Sequence, residues 1–355
     1  MKIKKLTIQN YKKFVQPKIF SFTDKNGNVN ESTLIIGNNG SGKTSILQAI
    51  VILIGAVVRE NFNPQELDWL GFEYRNLESG RLPLKIEAEI IFDDFEIEAT
   101  KKYAKVLSEM GVKLGTPSTD KSITIFFDYN TCKTVTKGRK ETHYQFSGYQ
   151  YAKRLAKHTP KINELFEKVG NIYWYTEQRT SNNISNLLDN KKPELNDIRS
   201  FLSSAYNYHT AVQNNEREIK DGQFDFYDKL KSLYKNVFPD RTFVGTLPRF
   251  DIYEEAQAPD FILFDNHNQY ELSGMSAGER SIFPILMDFA RWNINNSIII
   301  IDELELHLHP PLQQTFVRAL SKIGKNNQFI LTSHSNSIVN MFNEDDNQII
   351  RLPNE

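Results

Sequence analysis

Residues Gly37 to Ser45 read GNNGSGKTS, a G-x-x-x-x-G-K-[ST] run with the apolar stretch STLIIG before it and a helix-length apolar segment, Thr44 to Val58, after it. Strand, loop and helix in that order are the setting in which such a loop cradles phosphate. Its glycines let backbone N–H groups curl around an anion at a helix N-terminus, Lys43 places a point charge at the β/γ end, and the Thr44 hydroxyl is a ligand for Mg²⁺. The candidate nucleotide-binding residues are therefore Gly37, Asn38, Asn39, Gly40, Ser41, Gly42, Lys43, Thr44 and Ser45. A glycine-rich turn that merely caps a helix is the plainer alternative.

A second stretch, NSIIIIDELELHLHP from Asn296 to Pro310, supplies acids for the same chemistry. SIIII shows no alternation, so it predicts a central parallel strand buried on both faces, and the C-terminal ends of such strands are where open α/β sheets gather ligands. Asp302 and Glu303 stand at that end. In phosphoryl transfer one acid holds the metal shell while a second polar residue orients or deprotonates water, so adjacent carboxylates suit hydrolysis. Two further pieces lie nearby. LSGMSAGERS puts Ser276 and Gly278 at the start of a helical pattern, where a hydroxyl and free backbone donors face an anion, and QFILTSHS is another buried strand that ends at His334. Taken singly, these two are ordinarily a helix cap and a satisfied core histidine. His307 and His309 form a His-x-His pair, but zinc asks for a third or fourth protein ligand and only two are visible locally.

The elements that must position these groups follow from periodicity. Lys2 to Ile8 and Lys18 to Phe22 read as a hairpin-like opening. LPLKIEAEIIF, FEIEATKKY, SITIFFDY, CKTVTKG and THYQFSG read as a β-rich, basic portion up to Gly148, Tyr151 to Gly170 turns helical, and NIYWYTEQRT is a strand that stops at a polar cluster. Asn182 to Phe238 is polar and mostly helical, an inserted lid or arm without sustained heptads. The last third returns to α/β, with strands near Phe261, Ser297 and Phe329 and helices near Arg280 and Pro311. The expected division is 1–180, an N-terminal lobe; 181–245, a helical insertion; and 246–355, a C-terminal lobe.

The bulk numbers exclude little. The chain has 355 residues, 39% hydrophobic and 25% charged, with net charge -1, so the whole-molecule field argues neither for nor against nucleic acid. Charge is uneven: Lys101 to Pro160 holds 12 Lys and Arg against 4 Asp and Glu, and Asp251 to Pro310 holds 2 against 11. A solvated face is the default account of that bias. One cysteine, Cys132, excludes an intrachain disulfide and a Cys-rich zinc site. The opening MKIKKLTIQNYKKF has no continuous apolar core of a secretory signal, and AIVILIGAVV is well short of the roughly 20 residues a membrane helix needs, so a cytoplasmic protein with no membrane partner is expected.

The order of these motifs resembles that of the ABC-type ATPases. Gly37 to Thr44 resembles the Walker A loop of that family, Met275 to Arg280 its signature, Ile298 to Glu303 its Walker B strand and His334 its switch histidine. LTIQNYKKF and DELELHLHP make the RecF, SMC and OLD-like group the most similar, and Met275 and Glu279, where transporters carry leucine and glutamine, agree with that subgroup. The resemblance covers roughly the first 60 and last 90 residues well and the middle only loosely. It implies an α/β fold: an ABC-type P-loop NTPase head with a mixed and parallel sheet, flanking helices and a helical lid insertion. It implies ATP and Mg²⁺ as cofactors, with Thr44 and Asp302 on the metal, Glu303 and a glutamine on the water, and His334 on the γ-phosphate. Gln178, at the end of a strand, is the preferred glutamine, joining metal and water, and Gln65 is the alternative. Ser276 and Gly278 would act in trans, which makes a homodimer through the ATP sites the expected partner arrangement, with higher assembly open, and sets His307 and His309 in a loop touching the opposing subunit.

The expected function is an ATPase switch in antiphage defence or DNA repair that senses DNA, RNA or a phage signal and controls a separate effector, a nuclease or toxin. Lys101, Lys102, Lys137, Arg139 and Lys140, with interleaved aromatics, are its nucleic-acid candidates. A soluble ATPase subunit of a membrane transporter is the alternative, disfavoured by the long stretch between Walker A and signature and by the HLHP tail. The chain ends soon after His334, so a Toprim nuclease domain is not expected within it.

Overall fold

The computed structural model describes residues 1–58, 84–128, 133–159, 161–176, 181–183, 195–219, 223–248, 258–344 and 346–353. Along the chain the strands are β1 (Lys2–Gln9), β2 (Lys18–Ser21), β3 (Ser32–Ile36), β4 (Lys85–Ile91), β5 (Ser122–Asp128), β6 (Lys133–Thr136), β7 (Ile172–Tyr175), β8 (Ser181–Asn183), β9 (Thr242–Leu247), β10 (Asp260–Phe264), β11 (Gln269–Glu271), β12 (Ile298–Ile301), β13 (Gln328–Thr332) and β14 (Ile349–Arg351). The helices are α1 (Lys43–Val58), α2 (Asp94–Glu109), α3 (Lys140–Tyr144), α4 (Gly148–Leu155), α5 (Ile162–Phe166), α6 (Leu195–Gln213), α7 (Phe226–Val237), α8 (Ala277–Trp292), α9 (Pro310–Leu320) and α10 (Asn336–Val339).

A six-stranded sheet, in the order β14-β3-β13-β12-β7-β8, is parallel except for β8. β12 sits inside it between β13 and β7, and its four isoleucines are all buried. Side chains on a strand alternate between faces, so Ile298 and Ile300 enter one core with Ile330 and Trp174, while Ile299 and Ile301 enter another with Leu331 and Tyr173. Two covered faces are the physical reason that this strand shows no polar alternation.

The first core is closed by α1 and a five-stranded antiparallel sheet in the order β2-β1-β4-β5-β6. β1 does alternate, and its inward residues Ile3, Leu6 and Ile8 join Ile86, Ile90, Ile123 and Ile125 against α1. A helix wedged between two sheets has no solvent face, which is why α1 is apolar almost all round. The second core covers the opposite face of the six-stranded sheet with α7, α8, α9 and a three-stranded sheet, β11-β10-β9. The helices expected as a lid or arm lie against this body: Leu202 of α6 and Leu230 and Tyr234 of α7 are fully buried in it. Among the described residues no helix is long and apolar enough to cross a membrane.

Two stretches differ from the sequence reading. FEIEATKKY is the first part of α2, not a strand: the buried side chains Ile97, Thr100, Tyr103, Ala104 and Leu107 recur at helical spacing over a window longer than the nine residues read as alternating. THYQFSG is helical too, passing from α3 through a 3₁₀ turn at Gln145–Ser147 into α4. α2 and α4 bury Tyr103, Leu107, Tyr149 and Leu155 against each other in a third, smaller core.

Candidate active site

β3, β13 and β12 are neighbours running the same way, so the loops after them open at one end of the sheet. The loop after β3 is Gly37 to Gly42, and α1 begins at Lys43. Gly40 (φ +77°) and Gly42 (φ +101°) take the left-handed turns that fold the loop back on itself. A side chain at Gly42 would also run into Phe14, whose ring stands 2.8 Å from where a Cβ would be. Asn38 and Asn39 are exposed and Ser45 is half-buried.

Lys43 is 6% exposed and donates to the carbonyls of Gly37 (3.0 Å) and Asn38 (3.2 Å). Burial lowers its ammonium pKa, and Asp302, Glu303 and Glu305 oppose that by favouring the charged form. The Ser41 hydroxyl is buried with no hydrogen-bond partner among the described residues. Next along α1, Thr44 Oγ1 donates to Asp302 Oδ2 at 2.9 Å, which joins the loop after β3 to the loop after β12.

β13 supplies the third component. The Thr332 hydroxyl, fully buried, donates to Asp302 Oδ1 at 2.5 Å and accepts the Glu303 N–H at 2.8 Å. Glu303 sits at φ +47°, a left-handed conformation that non-glycine residues seldom adopt, and the backbone around it is over-determined: Asp302 N–H bonds Tyr175 O and Leu304 N–H bonds Thr332 O. His334 follows, its backbone N–H donating to Glu305 Oε1 at 2.5 Å and its ring exposed. Lys43, Thr44, Asp302, Glu303 and His334 are thus brought to one place.

A hydroxyl and a carboxylate oxygen 2.9 Å apart, a buried orphan hydroxyl and a glycine loop at a helix N-terminus fit a nucleotide triphosphate with a hard divalent cation. Thr44 and Asp302 are the residues that would hold the ion.

Ser276 and Gly278 lie apart from this cluster. Ser276 caps α8 in a capping box with Glu279: its Oγ accepts the Glu279 N–H (3.3 Å), and Glu279 Oε2 accepts the Ser276 N–H (2.8 Å). Glu279 is 1% exposed. Burial raises its pKa, but hydrogen bonds from Arg241, Tyr234, Tyr270 and the Ser276 N–H overcome this and hold the carboxyl at about 2. Gly278 packs on the segment after β12, where a Cβ would come 3.0 Å from Leu312 Cδ2 and 3.3 Å from His307 O. Ser281 Oγ donates to Leu306 O at 3.3 Å beside it. His307 and His309 are both exposed, the first at φ +63° and the second as the N-cap of α9.

Gln178 and Gln65, the two candidates for a metal-joining glutamine, and Cys132 lie outside the described residues. Three residues escaped the sequence reading: Thr332, Glu305, and Lys13, whose Nζ donates to Gly40 O at 2.6 Å. The only signals were a hydroxyl two positions before His334, a third acid in DELE and the basic turn NYKKF.

The chain is similar to several known proteins. A chain of Vibrio cholerae serotype O1 biovar El Tor, "Retron Vc95 probable ATPase", is 24% identical over 383 residues, covering 94% of this chain and 70% of that one. "Retron Ec83 probable ATPase" of Escherichia coli is 23% identical, covering 94% and 69%. "Septu protein PtuA" of Bacillus mycoides (strain KBAB4) is 25% identical, covering 94% and 38%. Among solved structures, an SMC head bound to the C-winged helix domain of ScpA shares the fold with a TM-score of 0.51 at 12% identity, covering 99% of this chain and 94% of that one. An SMC head with an extended coiled coil, bound to the C-terminal domain of ScpA derived from Pyrococcus furiosus, gives 0.51 at 14%, covering 98% and 92%. The family described as "AAA domain, putative AbiEii toxin, Type IV TA system" matches residues 32–340. With that match spanning residues 32–340 and the fold being that of the SMC heads, the chain belongs to this AAA-domain family and is an ATPase.

Proposed function

We propose that this ATPase is a nucleotide-driven switch of antiphage defence, which dimerises through its ATP sites and controls a separate effector protein. The observation that carries the proposal is the three-way junction at Asp302, where Thr44 of the phosphate loop and Thr332 beside the histidine grip the two oxygens of one carboxylate. Phosphate binding, metal binding and the histidine are mechanically joined there.

In this reading Lys43 and the loop amides hold the phosphates, Thr44 and Asp302 hold Mg²⁺, and Glu303 takes the proton of the attacking water. The cation, when bound, neutralises charge developing on the phosphoryl oxygens. His334 senses the terminal phosphate, and Ser276 and Gly278 complete the site of a second copy; Gln178 or Gln65 is the glutamine that joins metal and water. Support for a dimer comes from the exposed position of Ser276 at the tip of α8, since a cap turned to solvent has no phosphate of its own chain to meet. Support for a defence role comes from relatives named as retron ATPases and a Septu protein. The effector is taken to be a separate polypeptide, and the cytoplasm the place of action.

Nucleic-acid sensing has narrower support. Lys137 is bound to Glu87 at 2.7 Å, so that part of the basic middle is neutralised in place. Lys101 and Lys102 on α2, and the exposed Arg139, remain for a phosphate backbone among the described candidates; the side chain of Lys140 lies outside those described.

The test is Glu303→Gln. Steady-state hydrolysis should fall by about a hundredfold to ten-thousandfold, the span of general-base catalysis, while nucleotide affinity is kept. Wild-type turnover in that variant would remove Glu303 from the chemistry.

A further inference from the structure

The segment between β12 and α9 passes twice through the left-handed region, at Glu303 (φ +47°) and His307 (φ +63°). Glu305 lies between those two turns, and its carboxylate meets the loop after β13. Oε1 accepts the backbone N–H of His334 at 2.5 Å. Oε2 is buried and has no hydrogen-bond partner among the described residues. A buried carboxylate oxygen left unpaired is a cost to stability that a purely structural side chain has no reason to carry, and such orphans concentrate where a site is completed by something that comes and goes.

The histidine loop is tied down on its other side as well. Ser335 Oγ donates to Gln313 Oε1 at 2.6 Å, and the amide of Gln313 donates to Leu308 O at 2.9 Å. His334 is thereby suspended between the two ends of one segment, Glu305 at its start and Leu308 at its finish. Ser335 and Gln313 hold the far end through neutral groups; at the near end Thr332 is bonded to Glu303 and Leu304, and two residues on the His334 N–H itself is held by the Glu305 carboxylate.

We propose that Glu305 is the positioning residue of the switch: it holds the His334 backbone so that the imidazole faces the terminal phosphate, and it couples that histidine to the segment carrying Glu303. The inference rests on the reading of His334 as the phosphate sensor. It assigns Glu305 no contact with the reacting atoms.

The experiment compares Glu305→Ala, Glu305→Gln, His334→Ala and the Glu305→Ala/His334→Ala double variant in the full chain. Glutamine keeps an oxygen that accepts the His334 N–H, whereas alanine does not. Glu305→Ala should lower kcat by about a hundredfold, the cost of a misplaced group, with KM for ATP changed far less, because Lys43 is held by the Gly37 and Asn38 carbonyls and feels Glu305 only through space. Glu305→Gln should restore most of the lost turnover, and the double variant should be no slower than His334→Ala. In nucleotide-free protein, amide hydrogen exchange at His334 should quicken in the alanine variant and stay slow in the glutamine variant, a readout independent of turnover. Glutamine as slow as alanine would overturn the proposal, since the charge and not the tie would then matter. Additive losses in the double variant would overturn it too, with the sensor reading intact. Wild-type turnover in His334→Ala would overturn the sensor reading itself and the proposal with it. If Glu305→Ala fails to fold, the exchange and turnover of Glu305→Gln still decide.

Discussion

Thr332 makes two hydrogen bonds through one hydroxyl, so substitution removes or keeps them together. Its hydroxyl donates to Asp302 and accepts from the Glu303 N–H, so removing it takes one hydrogen bond from each at once. Thr332→Val should cost about 1–3 kcal/mol in chemical denaturation and lower turnover, while Thr332→Ser keeps both bonds and most of the activity. Gly42 is constrained by φ +101° and by the Phe14 ring. Gly42→Ala should lose more than about 1 kcal/mol of stability and, because the loop can no longer close around phosphate, most of its affinity in a fluorescent-nucleotide titration. At this scale the glycine loop and the paired acids were legible in the sequence because each is a contiguous run between apolar elements. Thr332 and Glu305 were not: they matter only through the register of β12 on β13, which brings residue 302 beside residue 332, and no spacing along the chain announces that.

Among the elements, β12 and α8 bear the most on the site. β12 fixes the acids by being buried on both faces, and Ile300→Ala should cost about 2–5 kcal/mol in denaturant unfolding, with loss of activity following loss of fold. α8 is anchored through Glu279. Its carboxyl lies at about 2 in the folded protein against an ordinary 4.5, so the stabilisation it gives is whole above 4.5 and drains away as pH falls toward 2. Glu279→Gln should flatten that part of the acid limb of the stability curve in equilibrium unfolding between those values. The parallel core strands and α1 were readable from uniform apolarity. α2 was not, because Phe95, Ile97 and Ala99 alternate like a strand over five residues, and only the longer window to Leu107 shows the face that packs on α4. A helix cap at Ser276 was readable, yet the cage around Glu279 needs Tyr234 and Arg241, from α7 and the stretch just after it, as well as the nearby Tyr270.

For the whole molecule, one sheet carries both halves of the chemistry. Its first core seats the proposed phosphate loop on α1 and its second seats α8, the helix proposed to act in trans, and the segment from Glu303 to His309 runs between them. That arrangement places the proposed phosphate-binding residues and Ser276 at separate points of one chain, which is the geometry the proposed dimer requires. The most direct test is sedimentation velocity of Glu303→Gln with ATP and with ADP. The account predicts a stable dimer with ATP and monomers with ADP; a monomer that has bound ATP at saturation would contradict it.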